Sequence, residues 1–238
     1  MNLRRAPLTP HPASPQLAPV TAVLAAVLLA VLTALAPPAA GAQEQAVRGG
    51  DVLYGSSGRS CPVGFNAGRG AERYGLMQGH CIKDAGPVWY ADAARTVEIG
   101  RTGGVSFPGD DYALIRYTNP DFTYPSELAS GVPGGSIEIT GAAEPSVGQQ
   151  VCRAGPTTGL HCGTVLSIND TIGYPEGTVY GVFSSNVCVE PGDGGGASAF
   201  SGGTALGLLV SGSSCSSGGT TFYQPVVPVL QAYGLTLP

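Results

Sequence analysis

Glycine and proline break this chain so often that nothing beyond its first 42 residues has room for a long helix. The 238 residues include 37 Gly and 20 Pro. Between the breaks lie short apolar or alternating runs: Val88–Tyr90, Ala113–Tyr117, Ser136–Thr140, Val179–Phe183 and Ala205–Val210. Each has the length of one strand, and the regular punctuation is that of a barrel or sandwich. Only Val226–Tyr233 reads as a helix, with Pro225 and Pro228 at its start, where proline is tolerated. Charged residues make up 11% of the chain, too few for a coiled coil or a charge-driven disordered chain. No segment recurs at a fixed period.

The first 42 residues obey a different pattern. Arg4 and Arg5 form a short positive region, and Val20 to Ala36 is an unbroken run of Ala, Val, Leu and Thr. Pro37 and Pro38 end it, and Ala40-Gly41-Ala42 has the small-x-small form of a signal-peptidase site. The run sits at the short limit for spanning a bilayer. These features predict a signal peptide over 1–42, cleavage after Ala42, and a secreted, extracellular chain with no membrane partner. With Arg4 and Arg5 removed, nine basic residues face 16 acidic ones, a formal charge of −7. A chain so acidic, with Lys83 its single lysine and no basic run, excludes nucleic acid as a partner.

Six cysteines follow the leader: Cys61, Cys81, Cys152, Cys162, Cys188 and Cys215. An even count in an oxidising compartment points to three bridges among about 15 possible connectivities. Pairing of neighbours, 61–81, 152–162 and 188–215, is the expectation; each bridge would be worth about 2–4 kcal/mol. There is no C-x-x-C pair, and His80 and His161 are the only histidines beyond the leader, which argues against zinc. No metal and no cofactor is expected.

Three places carry chemistry. His80 precedes Cys81, and a bridged cysteine would pin the backbone beside it; a catalytic imidazole needs a fixed orientation. The plain alternative is a polar histidine at a surface. Asp110 and Asp111 stand before the apolar run Ala113–Tyr117. Asp110 suits a solvated turn, whereas Asp111, at the mouth of the strand, is placed to be buried and to orient a histidine through its Nδ1–H. Gly192 to Ala197 reads as a flexible linker or, pinned by Cys188 and a following strand, as a loop presenting backbone N–H groups to an anion.

The segments Val47-Arg48-Gly49-Gly50-Asp51, Gly79-His80-Cys81, Phe107-Pro108-Gly109-Asp110-Asp111-Tyr112, Cys188-Val189-Glu190-Pro191-Gly192-Asp193 and Gly218 to Val226 together resemble the bacterial chymotrypsin-like serine proteases, of the streptogrisin and alpha-lytic protease type. The resemblance implies an all-β fold of two six-stranded Greek-key barrels with a short C-terminal helix. Residues 43–145 would form the barrel carrying His80 and Asp111, and 146–238 the barrel carrying the Gly194 loop. It implies His80 as general base, Asp111 as its orienting carboxylate, and the N–H groups of Gly192 and Gly194 as the oxyanion hole. It implies an ion pair between Arg153 and Asp193 that holds this loop, and it supports the neighbour pairing of the cysteines. The peptide-binding strand would lie at Val210, Ser211, Gly212 and Ser213. No acidic residue stands at the expected pocket base, which disfavours Arg or Lys side chains there.

The family motif Gly-Asp-Ser-Gly-Gly-Pro is replaced by Gly192-Asp193-Gly194-Gly195-Gly196-Ala197. Gly194 takes the serine position, and without a side-chain oxygen no acyl-enzyme forms there. Ser198 lies four residues on, in the next strand. Met77 and Gln78 stand where the family has Thr-Ala, with longer side chains that would displace His80. The leading expectation is therefore a monomeric, inactive or severely impaired serine endopeptidase homologue that retains binding of a peptide or protein. The alternatives are a weak endopeptidase using His80-activated water, and a structural or interaction protein on the same fold.

Overall fold

The structure is a computed structural model, and it describes residues 45–193 and 198–237. The expected signal peptide over 1–42 and its expected cleavage site, as well as Gly194, lie outside the described residues. Two seven-stranded sheets dominate. In chain order the strands are β1 (Gln45–Ala46), β2 (Val52–Gly55), β3 (Ser60–Pro62), β4 (Phe65–Arg69), β5 (Glu72–Met77), β6 (Val88–Tyr90), β7 (Glu98–Ser106), β8 (Tyr112–Tyr117), β9 (Phe122–Thr123), β10 (Glu127–Ala129), β11 (Ser136–Glu138), β12 (Gly141–Ala142), β13 (Gln150–Gly155), β14 (Gly159–Tyr174), β15 (Gly177–Ser185), β16 (Ala199–Ser201), β17 (Thr204–Gly212) and β18 (Thr221–Pro225). Among the described residues the α-helices are α1 (Gly79–Ile82) and α2 (Val226–Tyr233), with a 3₁₀ turn at Cys215–Ser217.

The first sheet runs β3-β2-β6-β7-β8-β5-β4. Only Val63 and Gly64 separate its two edge segments, so β3 and β4 are halves of one bent strand that closes the ring. The second sheet runs β12-β17-β16-β13-β14-β15-β18, and β17 also pairs with β18, closing six strands with short β12 outside the ring. Both rings carry the same topology: counted along the chain, the strands stand in the order one, two, three, six, five, four. This is the expected pair of Greek-key barrels, and closure leaves few free edges.

Each barrel buries its own apolar interior. Leu53, Met77, Trp89, Ile99 and Ile115 fill the first, and Val151, Val165, Phe183, Leu206 and Tyr223 fill the second. A third cluster joins Phe65, Leu76 and Leu114 to Phe200, Leu208 and the inner face of α2, Val226, Val229 and Leu230. This shared core fixes one barrel against the other, so a site between them is held from both sides. Three disulfides staple the chain: Cys61–Cys81, Cys152–Cys162 and Cys188–Cys215, the pairing of neighbours. Cys152 and Cys162 are direct cross-strand partners on β13 and β14.

Candidate active site

His80 and Asp111 meet at the seam between the barrels. His80 stands on α1, the single turn that follows β5. The glycine before it is required by space: a Cβ on Gly79 would come within 2.7 Å of the Ser106 carbonyl oxygen and 2.9 Å of that of Tyr112. The Cys61–Cys81 bridge ties the next residue to β3. Asp111 opens β8 and is fully buried. Its Oδ1 accepts the His80 backbone N–H at 2.7 Å, and its Oδ2 lies 2.7 Å from His80 Nδ1. With both oxygens engaged, backbone and ring are fixed together. In the neutral imidazole, a proton on Nδ1 directed at Asp111 leaves the Nε2 lone pair free to accept one.

Met77 and Gln78 do not move His80 off the carboxylate. Met77 points into the first barrel's core, and Gln78 is buried. The Asp111 backbone N–H donates to Gln224 Oε1 at 3.0 Å, so a side chain from β18 steadies a residue of the first barrel. Asp110 keeps the outer turn and accepts the Ser106 hydroxyl at 2.9 Å.

On the second barrel, Arg153 and Asp193 form an ion pair at 3.1 Å with both side chains wholly buried. Asp193 Oδ1 also accepts the N–H groups of Thr157 and Thr158, and Oδ2 accepts the Thr158 hydroxyl and the Glu190 N–H. Burial alone would raise the Asp193 carboxyl. The Glu190 and Thr158 hydrogen bonds and the Arg153 charge outweigh it and hold the group below its ordinary value. Arg153 Nε donates to the Cys188 carbonyl at 2.8 Å, binding the pair to the disulfide-anchored segment. Gly192 has φ of 97°, and a Cβ there would meet Thr157 Oγ1 at 2.6 Å, so glycine is needed for conformation and space. Ser198 is fully buried, and a Cβ on Gly64 would approach its Oγ to 2.9 Å, so the hydroxyl faces the interior.

A pocket opens between Val189-Glu190-Pro191-Gly192 and Leu209 and Gly212 of β17, with Ser214 just beyond it. Of the expected peptide strand, Val210 is buried and lines a second cleft with His80, while Ser211 and Gly212 are exposed and Ser213 is half-buried. Glu190 belongs to the pocket wall, which the sequence did not reveal; its Oε1 accepts the Cys215 N–H at 2.8 Å. Tyr174 was not legible either. Its ring stacks on His80 with centroids 5.6 Å apart, and its hydroxyl donates to the Val210 carbonyl at 2.9 Å. His161 lies with Cys188 and Cys215, but both sulfurs are spent in a disulfide and offer no thiolate to a metal. Among the described residues, no helix is long and apolar enough to cross a membrane.

Residues 79–232 match the family model described as Trypsin. The chain is 43% identical over 192 residues to Streptogrisin-C and 45% over 190 to Streptogrisin-D, both of Streptomyces griseus. These matches take in 80% and 79% of this chain but 41% and 47% of the relatives, so the chain spans less than half the length of either. Serine protease 2 of Streptomyces fradiae is 43% identical over 182 residues, 74% of this chain and all of that protein. Among solved structures, alpha-lytic protease homolog N4 is 52% identical with a TM-score of 0.75, covering 82% of this chain and 100% of the other. With the barrels, their topology and the sequence in agreement, this chain belongs to the trypsin family as a homologue of the streptogrisins and alpha-lytic protease.

Proposed function

We propose that this protein is an exported serine-endopeptidase homologue that has lost its nucleophile and binds peptide segments without cutting them efficiently. The observation that carries the reading is an assembled His80–Asp111 pair, at 2.7 Å, in a chain that has glycine at position 194. His80 would serve as general base, Asp111 as its orienting carboxylate, and the Gly192 and Gly194 N–H groups as the oxyanion hole, held by Arg153 and Asp193. Val210, Ser211, Gly212 and Ser213 would receive the peptide. A base with no hydroxyl to deprotonate cannot form an acyl-enzyme. In enzymes of this kind, loss of the nucleophile costs on the order of 10⁶ in turnover, while the oxyanion hole and binding alone leave roughly 10³–10⁴ over water. The Ser198 hydroxyl is fully buried, which supports the view that nothing replaces the missing oxygen.

Serine-directed fluorophosphonate and sulfonyl fluoride reagents test this, because they need an oxygen activated by a base. The exported protein is expected to remain unmodified by intact-mass measurement. Stoichiometric labelling of any serine near the cleft, Ser198 included, would overturn the reading.

A further inference from the structure

Tyr174 joins three parts of the cleft that the sequence keeps far apart. It is the last residue of β14 and pairs with Gly177 across a two-residue turn, Pro175-Glu176. The tip of this hairpin reaches from the second barrel onto the first. Glu176 meets Lys83 at 3.0 Å, one residue beyond α1. The Gly109 N–H donates to the Thr178 carbonyl at 3.0 Å, and the Tyr180 N–H to the Gly109 carbonyl at 2.8 Å. The tip is thus fastened on one side beside His80 and on the other two residues before Asp111.

Between those anchors, the Tyr174 ring lies against the imidazole at an interplanar angle of 27° and meets Phe107 edge-on at 5.0 Å. Its hydroxyl donates to the Val210 carbonyl, at the point where the β17–β18 register slips between Leu209 and Ser211. Val210 lines the same small cleft as His80. Burial first, then the Asp111 and Glu176 carboxylates, push the phenol above its ordinary value, so it stays a donor at neutral pH.

We propose that Tyr174 is a positioning residue that couples the set of the His80 ring to occupancy of the peptide strand. Its ring braces the imidazole against Asp111, and its hydroxyl caps the Val210 carbonyl until an extended peptide takes that acceptor. This rests on the peptide-binding reading above. A peptide added along Val210–Gly212 binds by main-chain hydrogen bonds, and an N–H that reaches the Val210 carbonyl competes there with the phenol for the same oxygen. Removing the hydroxyl while keeping the ring therefore favours the peptide. Removing the ring frees the imidazole.

Two measurements on the exported protein separate these effects. In NMR spectra of the imidazoles, wild type and Tyr174→Phe should show the same downfield Nδ1–H signal for His80. Tyr174→Leu, which keeps an apolar group against Phe107, should lose that signal to exchange with water while its circular dichroism is unchanged. An unaltered signal in Tyr174→Leu overturns the positioning role. With acetyl-Ala-Ala-Phe-amide as probe, Tyr174→Phe should bind about threefold to tenfold tighter than wild type, the range of one modest hydrogen bond. Equal or weaker binding overturns the capping role. Binding by neither protein overturns the peptide-binding reading and the cap with it, while the histidine spectra still decide the positioning role.

Discussion

Arg153 and Asp193 show what single residues must do to fasten the loop that runs from Cys188 to Asp193. Five hydrogen-bonding or ionic partners converge on one carboxylate at zero exposure. Two charges buried together are tolerable, whereas either one alone is not. Asp193→Asn should therefore destabilise the protein by about 3–5 kcal/mol at neutral pH, the range for leaving a buried partner uncompensated. The pH dependence has a definite sign. A carboxyl held lower in the folded than in the unfolded protein contributes stability above its unfolded value, and that contribution is lost as pH falls through the folded one. Urea unfolding as a function of pH should show a shallower acid limb in the variant than in the wild type. A cost under about 1 kcal/mol, with an unchanged acid limb, would mean that the pair does not hold the loop.

At the scale of elements, α2 was legible, with prolines marking its start. Pro225 caps its start, Val226, Val229 and Leu230 face the shared core, and Gly234 ends it with φ of 60°. A Cβ on Gly234 would touch nothing within 4 Å, so the cost of a side chain there is conformational alone. Gly234→Ala should lower stability by about 1–2 kcal/mol, read as a shift in the urea midpoint with unchanged slope. A neutral result would mean that this helix end relaxes freely. The strands divide by how their apolar residues face. β6, β8 and β17 send theirs inward, and their runs stand out in the sequence. The 16-residue β14 does not stand out, because Leu160, Leu166 and Ile168 point to solvent and its register to β15 is broken by irregularities. The nine-residue β7 is hidden by Gly100, Gly103 and Gly104. For Gly100 the close Arg116 carbonyl, 2.4 Å from a built Cβ, explains the glycine.

At the scale of the whole molecule, the site is a product of closure. His80 and Asp111 are 31 positions apart and are joined within one barrel, so short motifs sufficed to pick them out. Tyr174 comes from the other barrel and no local pattern marks it, whereas Glu190 and Gln224 lie inside segments that carry the resemblance but do not reveal what their side chains touch. Their roles exist only once the shared core has set the seam. The central claim is that this seam is intact and lacks one oxygen. Restoring that oxygen tests it most directly. Gly194→Ser, assayed on an activated ester, should hydrolyse it well above the background set by Gly194→Ser with His80→Ala, since only the nucleophile is being supplied to a positioned base. A folded Gly194→Ser protein with no activity above that control would contradict the account.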